Sequence, residues 1–145
     1  MIKTVSNTLA LAVGAAVLIT PAASSTGGRK FATSLTGAAE VPGPGDTDGR
    51  GSATVTVNSG QRQVCYTITT SKLDKATMAH IHAGAVGVAG PPVVTLKTPI
   101  GGRSSGCIKV TRELATKLLK SPGDYYVNVH TTAFAGGAVR GQLAK

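Results

Sequence analysis

Tryptophan is missing from the 145 residues, and three tyrosines and two phenylalanines are the only aromatics. Without stacking platforms, and with no basic run interleaved with aromatics, nucleic-acid recognition is not expected. Acidic residues are scarce as well, with Asp and Glu numbering six together. No two of these carboxylates stand at a spacing suited to general acid–base work, and no cluster suits a calcium or magnesium site. Neither a phosphate-cradling GxxxxGK[ST] loop nor a strand–turn–helix nucleophile elbow is expected. The longest uncharged apolar run, Leu9 to Ile19, is shorter than the roughly 20 residues needed to cross a bilayer.

That run follows Lys3 and precedes the small residues Thr20-Pro21-Ala22-Ala23-Ser24-Ser25. A basic start, a short apolar stretch and a small-residue cleavage zone describe a secretory signal peptide over residues 1–25. The remaining residues, 26–145, suit one domain, expected to be secreted to the periplasm or beyond and without a stable membrane span after cleavage. Two cysteines remain, Cys65 and Cys107, and an even count in a secreted chain favours one disulfide. No CxxC spacing supports a thiolate metal site. The formal charge of +9 falls to +8 once Lys3 is removed. These cations are spread along the chain and read as solvated surface charge.

Short apolar alternations punctuated by Gly and Pro recur from Lys30 onward. Strands are expected at Lys30–Leu35, Gly51–Asn58, Arg62–Thr70, Thr77–His82, Pro92–Lys97, Gly106–Val110, Asp124–Thr131 and Ala138–Leu143. Thr111 to Lys120 is the exception: a capping Thr, Leu114 and Leu118 one turn apart, and the stop Ser121-Pro122-Gly123 predict one short helix. The fold class is therefore all-β, an antiparallel β-sandwich of about eight strands with one helix. In this phase Cys65 and Cys107 oppose the core-facing Val64, Tyr66, Ile68, Ile108 and Val110, so both sulfurs lie outside the core.

All three histidines fall in two of these alternations, Met78-Ala79-His80-Ile81-His82-Ala83 and Tyr126-Val127-Asn128-Val129-His130. Successive strand side chains point to opposite faces, so His80 and His82 share a face opposite Ile81, with Cβ atoms about 7 Å apart. Asn128 and His130 likewise share a face. If the strands adjoin, three imidazoles converge on an outer face within reach of a small diffusible substrate. Neutral nitrogen ligands suit copper, with zinc second, over magnesium or calcium. Arg140 and Gln142 share the outward phase of the last strand, joined to the His130 strand by a hairpin through Gly136-Gly137. Asn128 and Gln142 are then supporting residues around the ligands. No carboxylate is expected among the ligands: Asp124 lies at a strand start and Glu40 in a different region. Met78 shares the parity of His80 and is read as core or rim packing, with a soft axial metal ligand as the alternative.

At these residues the chain resembles the chordin-type (CHRD) domain family. Phe31 to Pro42 resembles the family's opening, His80-Ile81-His82-Ala83-Gly84 its central motif, Tyr126 to Thr131 its penultimate strand and Arg140-Gly141-Gln142-Leu143 its close. The resemblance implies a secreted β-domain over nearly all of residues 30–143. A more distant likeness is to copper-zinc superoxide dismutase, a Greek-key β-sandwich with copper on its outer face. By that likeness His80, His82 and His130 are copper ligands, Arg140 guides a small anion such as superoxide, and Cys65 with Cys107 braces the site. The chain departs from it in having no fourth histidine to bridge to zinc, no zinc-ligand cluster and no long electrostatic loop, which implies a copper-only site. The expected function is a secreted copper-binding domain, redox-active toward superoxide or exchanging copper with a donor or acceptor, with enzymatic activity left open. The alternative is a non-enzymatic extracellular structural or interaction module with a protein partner, whose histidines hydrogen-bond along the sheet.

Overall fold

Among the described residues every strand pairs antiparallel to its neighbours, and the pairing falls into two halves. The computed structural model describes residues 27–144; the expected signal peptide lies outside them. The strands are β1 (Arg29–Thr36), β2 (Arg50–Asn58), β3 (Gln63–Ser71), β4 (Ala76–Ala83), β5 (Pro92–Leu96), β6 (Arg103–Lys109), β7 (Tyr125–Thr131) and β8 (Val139–Gln142), with helix α1 over Arg112–Lys120 between β6 and β7. Their order is β5-β4-β7-β8-β1-β2-β3-β6. β8 and β1 meet at one position, Thr36 opposite Arg140, so two four-stranded layers are joined by a single bridge. The connections β3–β4, β5–β6 and β6–β7 cross between the layers, in keeping with the antiparallel β-sandwich that the alternations predict and the Greek-key arrangement that the resemblance implies.

The strands form where β-branched and aromatic residues alternate with short polar ones. Phe31, Leu35, Val55, Val64 and Ile68 face Ile81, Val127, Val129, Val139 and Leu143 in one buried core. α1 plugs the core through Ala115 and Leu118, both fully buried. Its first turn is capped by Thr111, whose hydroxyl accepts from the Leu114 amide at 3.1 Å.

β6 begins at Arg103, three residues before the expected Gly106. Arg103, Ser104 and Ser105 lie outside the expected strand, yet they pair with Thr69, Ile68 and Thr67. Ladder hydrogen bonds to a neighbouring strand outweigh local propensity here. Among the described residues no helix is long and apolar enough to cross a membrane.

Candidate metal centre

β4 and β7 adjoin, with His80 opposite Asn128 and Met78 opposite His130. The parity of both strands then directs three imidazoles to one point. One ring nitrogen from each of His80, His82 and His130 lies within 4.8 Å of the others. Their orientations follow from what the other nitrogens touch. His82 Nδ1 lies 2.8 Å from the Gly90 carbonyl and His130 Nδ1 2.9 Å from the Ala135 carbonyl. A carbonyl can only accept, so both Nδ1 atoms carry the proton and both Nε2 lone pairs turn inward. His82 Nε2 is buried without a hydrogen-bond partner among the described residues. His80 Nδ1 stands 3.2 Å from His130 Nε2 and donates to it.

A buried, unpartnered lone pair aimed at two further ring nitrogens fits a metal ion better than it fits a satisfied hydrogen-bond network. Burial holds His80 below the usual histidine value, with the neighbouring His130 and His82 adding to the effect. Burial also lowers His130, against the opposing Ala135 carbonyl. Neutral imidazoles are the metal-ligating form.

The face carrying these rings is not the open outer surface that alternation alone suggests. His82, Asn128, His130 and Arg140 are 8%, 1%, 6% and 2% exposed. The phase is as expected, but other parts of the chain close over it: segment 84–91 bonds to His82, Arg140 and Gln142, Ala135 bonds to His130, and Glu40 lies beside Asn128. Arg140 ties that segment down, donating from Nη1 to the Val88 carbonyl at 3.0 Å and from Nη2 to the Ala85 carbonyl at 2.9 Å. Gln142 adds a bond from its amide nitrogen to the Gly84 carbonyl at 2.7 Å. Tyr126 links the two parts: its ring stacks on His82 with centroids 4.8 Å apart and lies 3.4 Å from the Arg140 guanidinium carbon. His80, only partly buried, stands at the opening. Met78, opposite His130, is 46% exposed on the rim.

Glu40 arrives where no carboxylate was expected. The chain leaves β1 through the single turn Gly37–Ala39, which delivers Glu40 onto the same face beside Asn128 and Arg140. It is buried, its Oε1 has no partner among the described residues, and burial pushes its pKa up to about 7 against the opposing pull of Arg140 and Asn128. A side chain at Gly137 would collide with this carboxylate, and Gly137 also holds φ at 145°, a backbone conformation that suits glycine. The only sequence signal was that Glu40 is an acid in an otherwise apolar turn. Glu40 is not one of the three clustered ligands.

Cys65 and Cys107 are bonded, directly opposite one another on β3 and β6. The bond lies on the outward face of the other layer, away from the histidines. The run Gly102-Arg103-Ser104-Ser105-Gly106 has the GxSxG spacing of a nucleophile elbow, but it enters β6 as regular strand with Ser104 buried toward the core. A groove of about 740 Å³ lies between the edge strands β5 and β6, with Arg62 and Lys109 as the titratable groups on its lining.

The CHRD domain model matches residues 31–143. No curated protein and no solved structure matches the chain. The expected likeness to copper-zinc superoxide dismutase is not shown by these comparisons.

Proposed function

The chain belongs to the CHRD domain family, and from that premise we propose that it is an exported domain that holds one copper ion through His80, His82 and His130. The observation that carries this reading is a cluster in which one ring nitrogen from each histidine lies within 4.8 Å of the others, together with a buried His82 Nε2 that has no partner among the described residues. An all-imidazole set without a carboxylate favours copper, then zinc, over magnesium or calcium. Bound copper would supply one-electron redox chemistry toward a small anion such as superoxide, or serve as cargo for storage and delivery.

The chain's own contribution is orientation. The Gly90 and Ala135 carbonyls hold the His82 and His130 tautomers, so two lone pairs are set before any ion arrives. For Nδ1 of His80 to serve as the third ligand, the single ring proton of this neutral imidazole would move from Nδ1 to Nε2 by exchange with solvent at the opening. Arg140 acts as a positioning residue: two of its bonds go to the segment bearing Gly90, and its buried guanidinium adds positive potential near the site. The Cys65–Cys107 bond supports export, because such bridges persist in oxidising compartments.

The test is titration of the purified protein with copper and with zinc, followed by spectroscopy of the copper form. One equivalent should bind with nitrogen ligation, and His80→Ala, His82→Ala and His130→Ala should each abolish binding. Full affinity in any two of these variants would overturn the reading. A dismutase assay of the loaded protein separates turnover from storage: activity at the free-ion background leaves only storage or delivery.

A further inference from the structure

Four cations far apart in the sequence, Lys30, Arg50, Arg103 and Lys109, share the outward side of one layer of the fold. The outward positions of β1, β2, β3 and β6 align in rows by register. One row runs Ala32, Thr54, Thr67, Ser105; the next runs Ser34, Ser52, Thr69, Arg103. Flanking rows bring Lys30 opposite Thr56, Lys109 opposite Gln63 and Arg50 opposite Thr36. Lys30, Arg50, Arg103 and Lys109 are all exposed. None of the six acidic residues occupies an outward position of this layer. Asp46 and Asp48 lie in the loop before β2, at the corner where Arg50 donates to the Thr47 and Gly49 carbonyls.

Between the cations the face is a lattice of short hydroxyls. Ser52 Oγ and Thr69 Oγ1 share a bond of 2.8 Å. Among the described residues Thr54, Thr67 and Ser105 have no side-chain partner, which leaves their hydroxyls free. The lattice is pre-set, because the Cys65–Cys107 bond locks β3 to β6 beside the Thr67–Ser105 pair. A ligand therefore meets donors that need little ordering.

The chemistry narrows the partner. No aromatic or large aliphatic side chain points outward among these rows, so neither base stacking nor insertion into lipid has a foothold. A protein partner would find no buried apolar anchor. Flat hydroxyl rows bordered by cations, with no carboxylate among them, complement a linear chain rich in both hydroxyls and negative charge.

We propose that the outward face of β1, β2, β3 and β6 docks an anionic polysaccharide, with Lys30, Arg50, Arg103 and Lys109 meeting its acidic groups and the Ser and Thr rows meeting its hydroxyls. This face belongs to the layer opposite the histidines, so the inference stands apart from the metal reading.

The experiment is calorimetric titration of the full chain with polygalacturonate, with neutral dextran as the uncharged comparison. Affinity should fall steeply between about 50 and 200 mM salt, as expected when several ion contacts form together. Arg103→Glu with Lys109→Glu should weaken binding by about tenfold or more, a loss that follows from reversing two contacting charges. The matched reversal Lys97→Glu with Lys120→Glu, away from this face, should leave affinity within about twofold. Thr54→Val with Thr67→Val should weaken binding severalfold without altering the salt slope. Thermal melts of each variant confirm folding, and all these side chains lie at the surface. Equal binding to dextran, equal loss in the matched reversal, or tighter binding to oligothymidylate or anionic phospholipid vesicles than to polygalacturonate would overturn the proposal.

Discussion

Replacing Arg140 with Met tests whether the covering segment and the histidines form one unit. Arg140 is 2% exposed and makes three hydrogen bonds, to the carbonyls of Val88 and Ala85 and to Gln142 Oε1. Hydrogen bonds from a charged donor contribute roughly 1.5–3 kcal/mol each, but they are not additive. The Ala85 and Val88 carbonyls belong to exposed residues and regain water, and removal of a buried charge returns part of its desolvation cost. The contact with Tyr126, 3.4 Å from the guanidinium carbon, contributes a further 1 kcal/mol or so. The net loss expected for Arg140→Met is about 3 kcal/mol, or a Tm lowered by roughly 10 °C for a domain of this size. Metal affinity should fall about 10- to 100-fold, because Gly90, released with its segment, no longer fixes the His82 tautomer. Arg140→Lys should recover little, since one ammonium cannot span both carbonyls. Thermal melts of the metal-free protein and competitive metal titration measure the two effects separately. An Arg140→Met protein with unchanged Tm and unchanged metal affinity would refute this reasoning.

Glu40 contributes a pH dependence of its own. Its folded pKa is raised to about 7 from 4.5, so its contribution to stability is fully present below pH 4.5 and is lost as pH rises through 7. Glu40→Gln should therefore gain stability relative to the parent as pH rises from about 4.5 to 8, by up to about 3 kcal/mol. Urea unfolding of the metal-free pair at several pH values checks this, and a pH-independent difference would contradict it. His80 and His130, lowered by burial, act in the opposite sense, costing stability as pH falls below 6.5; comparing the variant with its parent cancels them. Reduction, or Cys65→Ser with Cys107→Ser, opens a loop with 42 residues of sequence separation and should cost about 4 kcal/mol, read as a lower urea midpoint. Copper binding should survive that change in protein that remains folded, because the bond and the histidines lie on different layers.

Alternation has a range of two residues, which is why so much of this protein was legible before its fold. Val64, Tyr66 and Ile68 on one side of β3, with Cys65 on the other, set the strand, its core face and the outward side of the disulfide. The same parity places His80 with His82 and Asn128 with His130, and Thr111 announces the helix. What covers a face is a different kind of information. Arg140 reaches carbonyls 52 and 55 residues away, and the Gln142 bond to Gly84 spans 58. No local pattern encodes such a contact, so the expectation of an open face was reversed by a segment that reads only as turns. Glu40 joined the site for the same reason: one short turn swings it onto strands far along the chain. Lys30, Arg50, Arg103 and Lys109 share a face only because cross-strand register aligns four separate segments. Period and parity fixed which side each residue takes, and long-range packing decided what each side would meet.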